Sequence, residues 1–169
     1  MAGCANDALV SHVSASFGAW RSSLQALRSC LENALCSIYY KDHPVELLLW
    51  AQGRYRIGFA ELHRYLSEHP SLVKYELHLT GLDIIADEYA TLSKAVHASA
   101  ASFRMTDPAS MVLLWSNEPA KIGMWAARER KVLEGLSLLM ICMHSERLQG
   151  TLLVLLNQKK CSEWRSANI

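Results

Sequence analysis

The chain predicts an all-α fold: an antiparallel bundle of three long helices plus several short ones. Three observations lead there. Apolar residues recur at three- and four-residue steps over long stretches, the spacing of one helix face. Strand signals are nearly absent, since Tyr55 to Phe59 (YRIGF) is short and is broken by Gly58, with Gly53 just before it. The few glycines and prolines fall mostly between periodic segments, as helix punctuation does.

Taken in order, a first helix is expected over Asp7 to Trp20. A second carries the stripe Leu24, Leu27, Leu31, Leu35 and Ile38 and ends near Lys41, before Asp42-His43-Pro44. Pro44 suits a helix start, where its missing amide would be unpaired anyway. Short helices over Val45 to Ala51 and Phe59 to Ser67 flank a connection at Gly53 to Gly58. After His69-Pro70 a long helix is expected from about Leu72 to Phe103, with Leu82, Ile85, Tyr89, Leu92, Val96 and Phe103 on one side. Asp107-Pro108 is an N-cap and first-turn pair that opens a short helix to Trp115. Asn117 to Pro119 starts the last long helix, with Ile122, Trp125, Val132, Leu136, Leu139 and Met143 on a stripe. A terminal helix, Thr151 to Lys159, and a short tail at 160–169 complete one domain. Several long apolar stripes bury together most simply in a bundle.

With 169 residues, half of them apolar and a fifth charged, the chain can bury a substantial core. Its 17 basic and 16 acidic residues leave no global field for nucleic acid, so any such contact needs a local basic pocket. The five cysteines, Cys4, Cys30, Cys36, Cys142 and Cys161, form no CxxC pair. They are expected as single thiols, small hydrophobes in a reducing cytosol, with neither a disulfide framework nor a zinc site. The start MAGCANDALV lacks the basic and apolar regions of a secretory signal. The longest apolar region, Val132 to Leu156, is interrupted at His144 to Arg147, short of the roughly 20 residues a membrane span needs. A cytoplasmic protein without a membrane segment is expected.

Short catalytic motifs are missing: no Walker loop, dinucleotide fingerprint, HExxH or nucleophile elbow occurs. Asp83, Asp87 and Glu88 lack the Glu-x-x-His partners of a di-iron bundle, and neither a metal nor another cofactor is expected. The informative segment is Asp87 to Arg104, DEYATLSKAVHASAASFR. Ser93, His97, Ala100 and Arg104 follow the apolar stripe one residue later, about 100° round the helix. A histidine and an arginine beside a buried seam are shielded yet reachable, which suits chemistry and suits ordinary boundary packing equally. On the second helix Arg28 and Glu32 form an i,i+4 pair one step off the Leu27/Leu31 stripe.

The segment DEYATLSKAVHASAASF resembles a recurring segment of HEPN domains, small all-α modules of bacterial defence and toxin systems. The run LRSCLENALCSIYY resembles their preceding long helix, where an arginine and a glutamate face the histidine-bearing helix. The resemblance spans roughly Ala19 to Phe103. The family's usual signature is an arginine, four to six residues, then a histidine; no arginine precedes His97 at that distance. The spacing does occur as Arg56…His63 and Arg64…His69, in a short helix and its margins. The resemblance implies metal-independent RNA cleavage at Arg28, Glu32, His97 and Arg104, with Ser93 as a substrate contact. A near-neutral histidine would move the proton of a ribose 2′-hydroxyl or of the leaving 5′-oxygen. An arginine would hold the transition-state charge. It also implies a homodimer and a protein partner such as an antitoxin or a defence subunit. The rival expectation is a non-catalytic dimerisation or partner-binding subunit of the same architecture. DNA binding is disfavoured by the neutral charge and the lack of a basic recognition helix.

The five tryptophans are Trp20, Trp50, Trp115, Trp125 and Trp164. Trp20, Trp50 and Trp125 lie in or beside apolar stripes and are expected in the core, whereas Trp164 belongs to the polar tail.

Overall fold

A computed structural model describes residues 2–96, 119–146 and 148. Among them all regular structure is helical: α1 (Ala2–Ser16), α2 (Trp20–Asp42), α3 (Pro44–Ala51), α4 (Phe59–Ser67), α5 (Leu77–Thr80), α6 (Leu82–Val96) and α7 (Pro119–Met143). The helices expected over 107–115 and 151–159, and the tail, lie outside the described residues.

The expected boundary at Trp20 is corrected. Gly18 takes φ +75°, and the Ala19 and Gly18 amides reach back to the Ser14 and Ala15 carbonyls at 2.8 and 2.9 Å. This is a Schellman close, in which a left-handed residue satisfies the last free carbonyls and ends the helix. Trp20 therefore opens α2 instead of ending α1. The same device stops α3, where Gly53 has φ +70° and Arg54 N–H donates to the Leu49 carbonyl at 2.9 Å.

The helix expected from Leu72 is corrected too. Residues 70–75 form turns, α5 is a single turn, and Gly81 at φ +74° separates it from α6. Gly81 has a second reason to be glycine. A Cβ there would stand 2.5 Å from the Gly135 carbonyl oxygen, and one on Gly135 would stand 2.9 Å from Ile85. Two glycines thus let the start of α6 and the middle of α7 touch backbone to backbone.

The core is built from the α2 stripe (Leu24, Leu27, Leu31, Leu35, Ile38), Leu82, Ile85 and Leu92 of α6, and Trp125, Val132 and Leu139 of α7, all buried. Leu62 and Leu66 of α4 close one side. Arg21 reaches the Val96 carbonyl at 2.9 Å and Arg28 reaches the Tyr89 hydroxyl at 2.8 Å, so α2 and α6 run in opposite directions. Glu88 faces Arg128, and Ile85 lies against Gly135, so α6 and α7 also run oppositely. At the far edge Trp125 Nε1 donates to Ser11 Oγ at 3.0 Å, and Ser11 donates to the Ser23 carbonyl at 2.8 Å. This relay satisfies every polar group it buries and ties α7, α1 and α2 together.

Two stripe assignments are corrected. Ile122 is exposed near the start of α7, and Trp50 is 52% exposed. The whole of α3, Pro-Val-Glu-Leu-Leu-Leu-Trp-Ala, has no buried residue, with Val45 and Leu48 at 63% and 64% exposure. No described helix is long and apolar enough to cross a membrane.

Candidate functional site

The polar seam between α2 and α6 centres on Arg28. As the i,i+4 spacing predicts, its Nη2 donates to Glu32 Oε1 at 3.0 Å. The same nitrogen donates to the Tyr89 hydroxyl on α6 at 2.8 Å. The guanidinium lies 4.8 Å from the Tyr89 ring centre, and that ring stacks on Phe59 of α4 with centroids 3.6 Å apart. Burial works against the Arg28 charge, but the hydrogen bond to Tyr89 and the attraction of Glu32 outweigh it and raise its pKa above the ordinary guanidinium value. The result is a permanent, clamped cation whose position three helices fix. Its Nε is buried and has no partner among the described residues.

Ser93 lies one turn beyond Tyr89, and its hydroxyl donates to the Tyr89 carbonyl at 2.7 Å. In this arrangement its proton is committed to its own helix. His97 and Arg104 lie outside the described residues. Val96, the residue before His97, meets Arg21, which sits seven residues before Arg28 on α2, about 10 Å along a helix axis.

The two remaining arginine–histidine spacings do not form pairs. Arg56 and Arg64 are exposed. His63 Nε2 lies 3.3 Å from the Leu82 carbonyl, and His69 Nε2 lies 3.3 Å from Asp42 Oδ2. His69 Nδ1 accepts from the Ser71 amide at 3.1 Å, which leaves the proton on Nε2 facing Asp42. Tyr65 also donates to Asp42 Oδ2, at 2.9 Å. Asp42 thus fastens α4 and the following turn to the end of α2.

The strongest polar feature missed by sequence reasoning is Glu88. Grouped from the sequence with the exposed Asp83 and Asp87, it is 1% exposed and sits in the core stripe of α6 between Ile85 and Leu92. Arg128 Nη1 donates to its Oε1 at 2.8 Å, with Lys131 at 3.7 Å from the same oxygen, while Oε2 is buried without a partner among the described residues. A signal for its burial was available, since position 88 continues the 82, 85, 92 stripe, but nothing in the stripe points to Arg128. Among the described residues no group of three or more His, Cys, Asp or Glu side chains is gathered to hold a metal.

No protein-family model matches the chain, and no curated protein or solved structure is significantly similar to it.

Proposed function

We propose that this chain is a HEPN-like helical module that works by self-association and partner binding in a bacterial toxin or phage-defence setting. One observation carries the reading: α3 is an apolar helix none of whose residues is buried among the described residues. Val45, Leu47, Leu48 and Trp50 are all exposed, and an apolar patch of this kind marks an interaction surface. The occupant favoured is a second copy of the chain. Closed twofold pairing buries identical patches against one another, and a formal net charge of +1 offers no repulsion against it. Leu9, Val13 and Phe17 give α1 a second exposed apolar row, with Phe17 at 75%.

Sedimentation or light scattering across a concentration series tests this. The expected mass is twice 18.9 kDa, and Leu48→Glu should reduce it to the monomer with helicity unchanged, because α3 buries no residue. A wild-type monomer at high concentration, or a dimer that ignores Leu48→Glu, would remove α3 as the interface.

A second reading is favoured by Arg28, a cation locked at the helix seam: metal-independent RNA cleavage, with Arg28 stabilising phosphate charge, Glu32 orienting it, His97 as general acid–base, and Arg104 and Ser93 as further contacts. Its test is expression. Growth arrest with degraded RNA, relieved by His97→Ala and by Arg28→Ala in folded protein, is the expected result. Arrest that both variants leave intact would end this assignment.

A further inference from the structure

We propose that Cys4 and Cys30 are a redox-controlled pair that a peroxide closes into a disulfide stapling α1 to α2. The two Sγ atoms lie 3.1 Å apart across the α1–α2 hairpin, about 1 Å more than a formed S–S bond of ~2.05 Å. The helix backbones are already held at this spacing. Asn33 Nδ2 donates to Asp7 Oδ2 at 2.6 Å, and Ser11 donates to the Ser23 carbonyl at 2.8 Å. Small shifts of two side chains therefore suffice, with no helix displaced.

Exposure assigns the order of events. Cys4 is half-exposed, whereas Cys30 is buried. Burial, followed by the hydrogen bond with Cys4, pushes the Cys30 thiol up to about 12. It keeps its proton at neutral pH, so Cys4 meets the oxidant first. The Cys4 thiolate attacks one oxygen of hydrogen peroxide, the O–O bond breaks, and the departing hydroxide leaves as water once protonated. Cys4 is then a sulfenic acid. The Cys30 sulfur attacks the Cys4 sulfur and the S–O bond breaks. The hydroxyl leaves as a second water with the Cys30 proton. The thiol pair has supplied two electrons and the peroxide has taken them.

The experiment uses the full chain carrying Cys36→Ser, which removes the other thiol from the tryptic peptide 29–41. A few equivalents of hydrogen peroxide should cost the protein two hydrogens and join peptide 1–21 to peptide 29–41. Dithiothreitol should reverse both changes, and Cys4→Ser should prevent the joining. Closing a loop of this length should raise the melting temperature by about 10 °C. Over-oxidation of Cys4 without a joined peptide, joining to Cys142 or Cys161 instead, or a joined protein that melts no higher would each overturn the staple.

Discussion

Glu88 and Arg128 set an energetic problem at the scale of single residues. A carboxylate in a core stripe loses its hydration, and one short bond to Arg128 with a more distant Lys131 recovers only part of that loss. Removing the partner should therefore cost more than removing the charge. Arg128→Ala is expected to destabilise the protein by about 3 kcal/mol, because among the described residues it leaves the buried carboxylate facing only the exposed Lys131. Glu88→Leu, which fills a similar volume next to Ile85 and Leu92, should stay within about 1 kcal/mol of wild type or exceed it. Urea titrations of the two variants check the order, and an Arg128→Ala protein more stable than Glu88→Leu would contradict it. The Arg28–Glu32 pair was legible in the sequence because both partners lie on one helix at a spacing that geometry alone makes adjacent. The Glu88–Arg128 pair joins two helices, and no periodicity within one segment reports a partner forty positions away. Tyr89 shows the same limit: its place on the stripe was readable, but its hydroxyl's use as an acceptor for Arg28 depends on how α2 and α6 are aligned.

The helix boundaries are decided by glycine at the scale of whole elements. The pattern Leu72 to Phe103 reads as one helix because apolar spacing survives a break whose two sides both face the core. Leu72, Leu79, Leu82 and Ile85 are all buried, on either side of Gly81. The sequence stripe thus reports burial faithfully and continuity poorly. By contrast, α4 and the stripe of α2 were legible to the residue, since Gly58 and Asp42-His43-Pro44 mark real ends. At α4, the Glu61 carboxylate accepts from the Gly58 amide at 3.2 Å, one half of a capping box that glycine has no side chain to complete. The glycine pair between α6 and α7 gives a graded prediction. Gly81→Ala combines a left-handed backbone with a clash against the Gly135 carbonyl, which α7 cannot move. It should cost about 2–4 kcal/mol. Gly135→Ala keeps a helical backbone and presses on the Ile85 side chain, so about 1–2 kcal/mol is expected. Thermal melts of both variants test the ranking; equal losses would mean that backbone conformation contributes nothing at Gly81.

At the scale of the whole molecule, composition and periodicity identify the all-α class and place a helix over 45–51, but they do not report that α3 is exposed. An apolar helix looks the same in sequence whether other helices cover it or a partner does, and Trp50 reads as core for that reason. The molecule's response to alkali follows from its buried hydroxyls. Burial, then the hydrogen bond to Asp42, pushes the Tyr65 hydroxyl up to about 12, against an unfolded value of about 10. Burial, followed by the Tyr55 hydroxyl, shifts Tyr39 upward as well. Between pH 10 and 12 the unfolded chain has released the Tyr65 proton and the folded chain retains it, so unfolding is favoured more strongly as pH rises. The contribution is fully present below pH 10 and is lost as pH climbs through the folded value. Tyr65→Phe should lower stability at neutral pH by about 1 kcal/mol, the worth of one hydrogen bond, while flattening the decline between pH 10 and 12. Urea midpoints measured every half pH step for both proteins decide the matter. A Tyr65→Phe curve parallel to wild type throughout would show that Asp42 does not hold the Tyr65 proton in the folded protein.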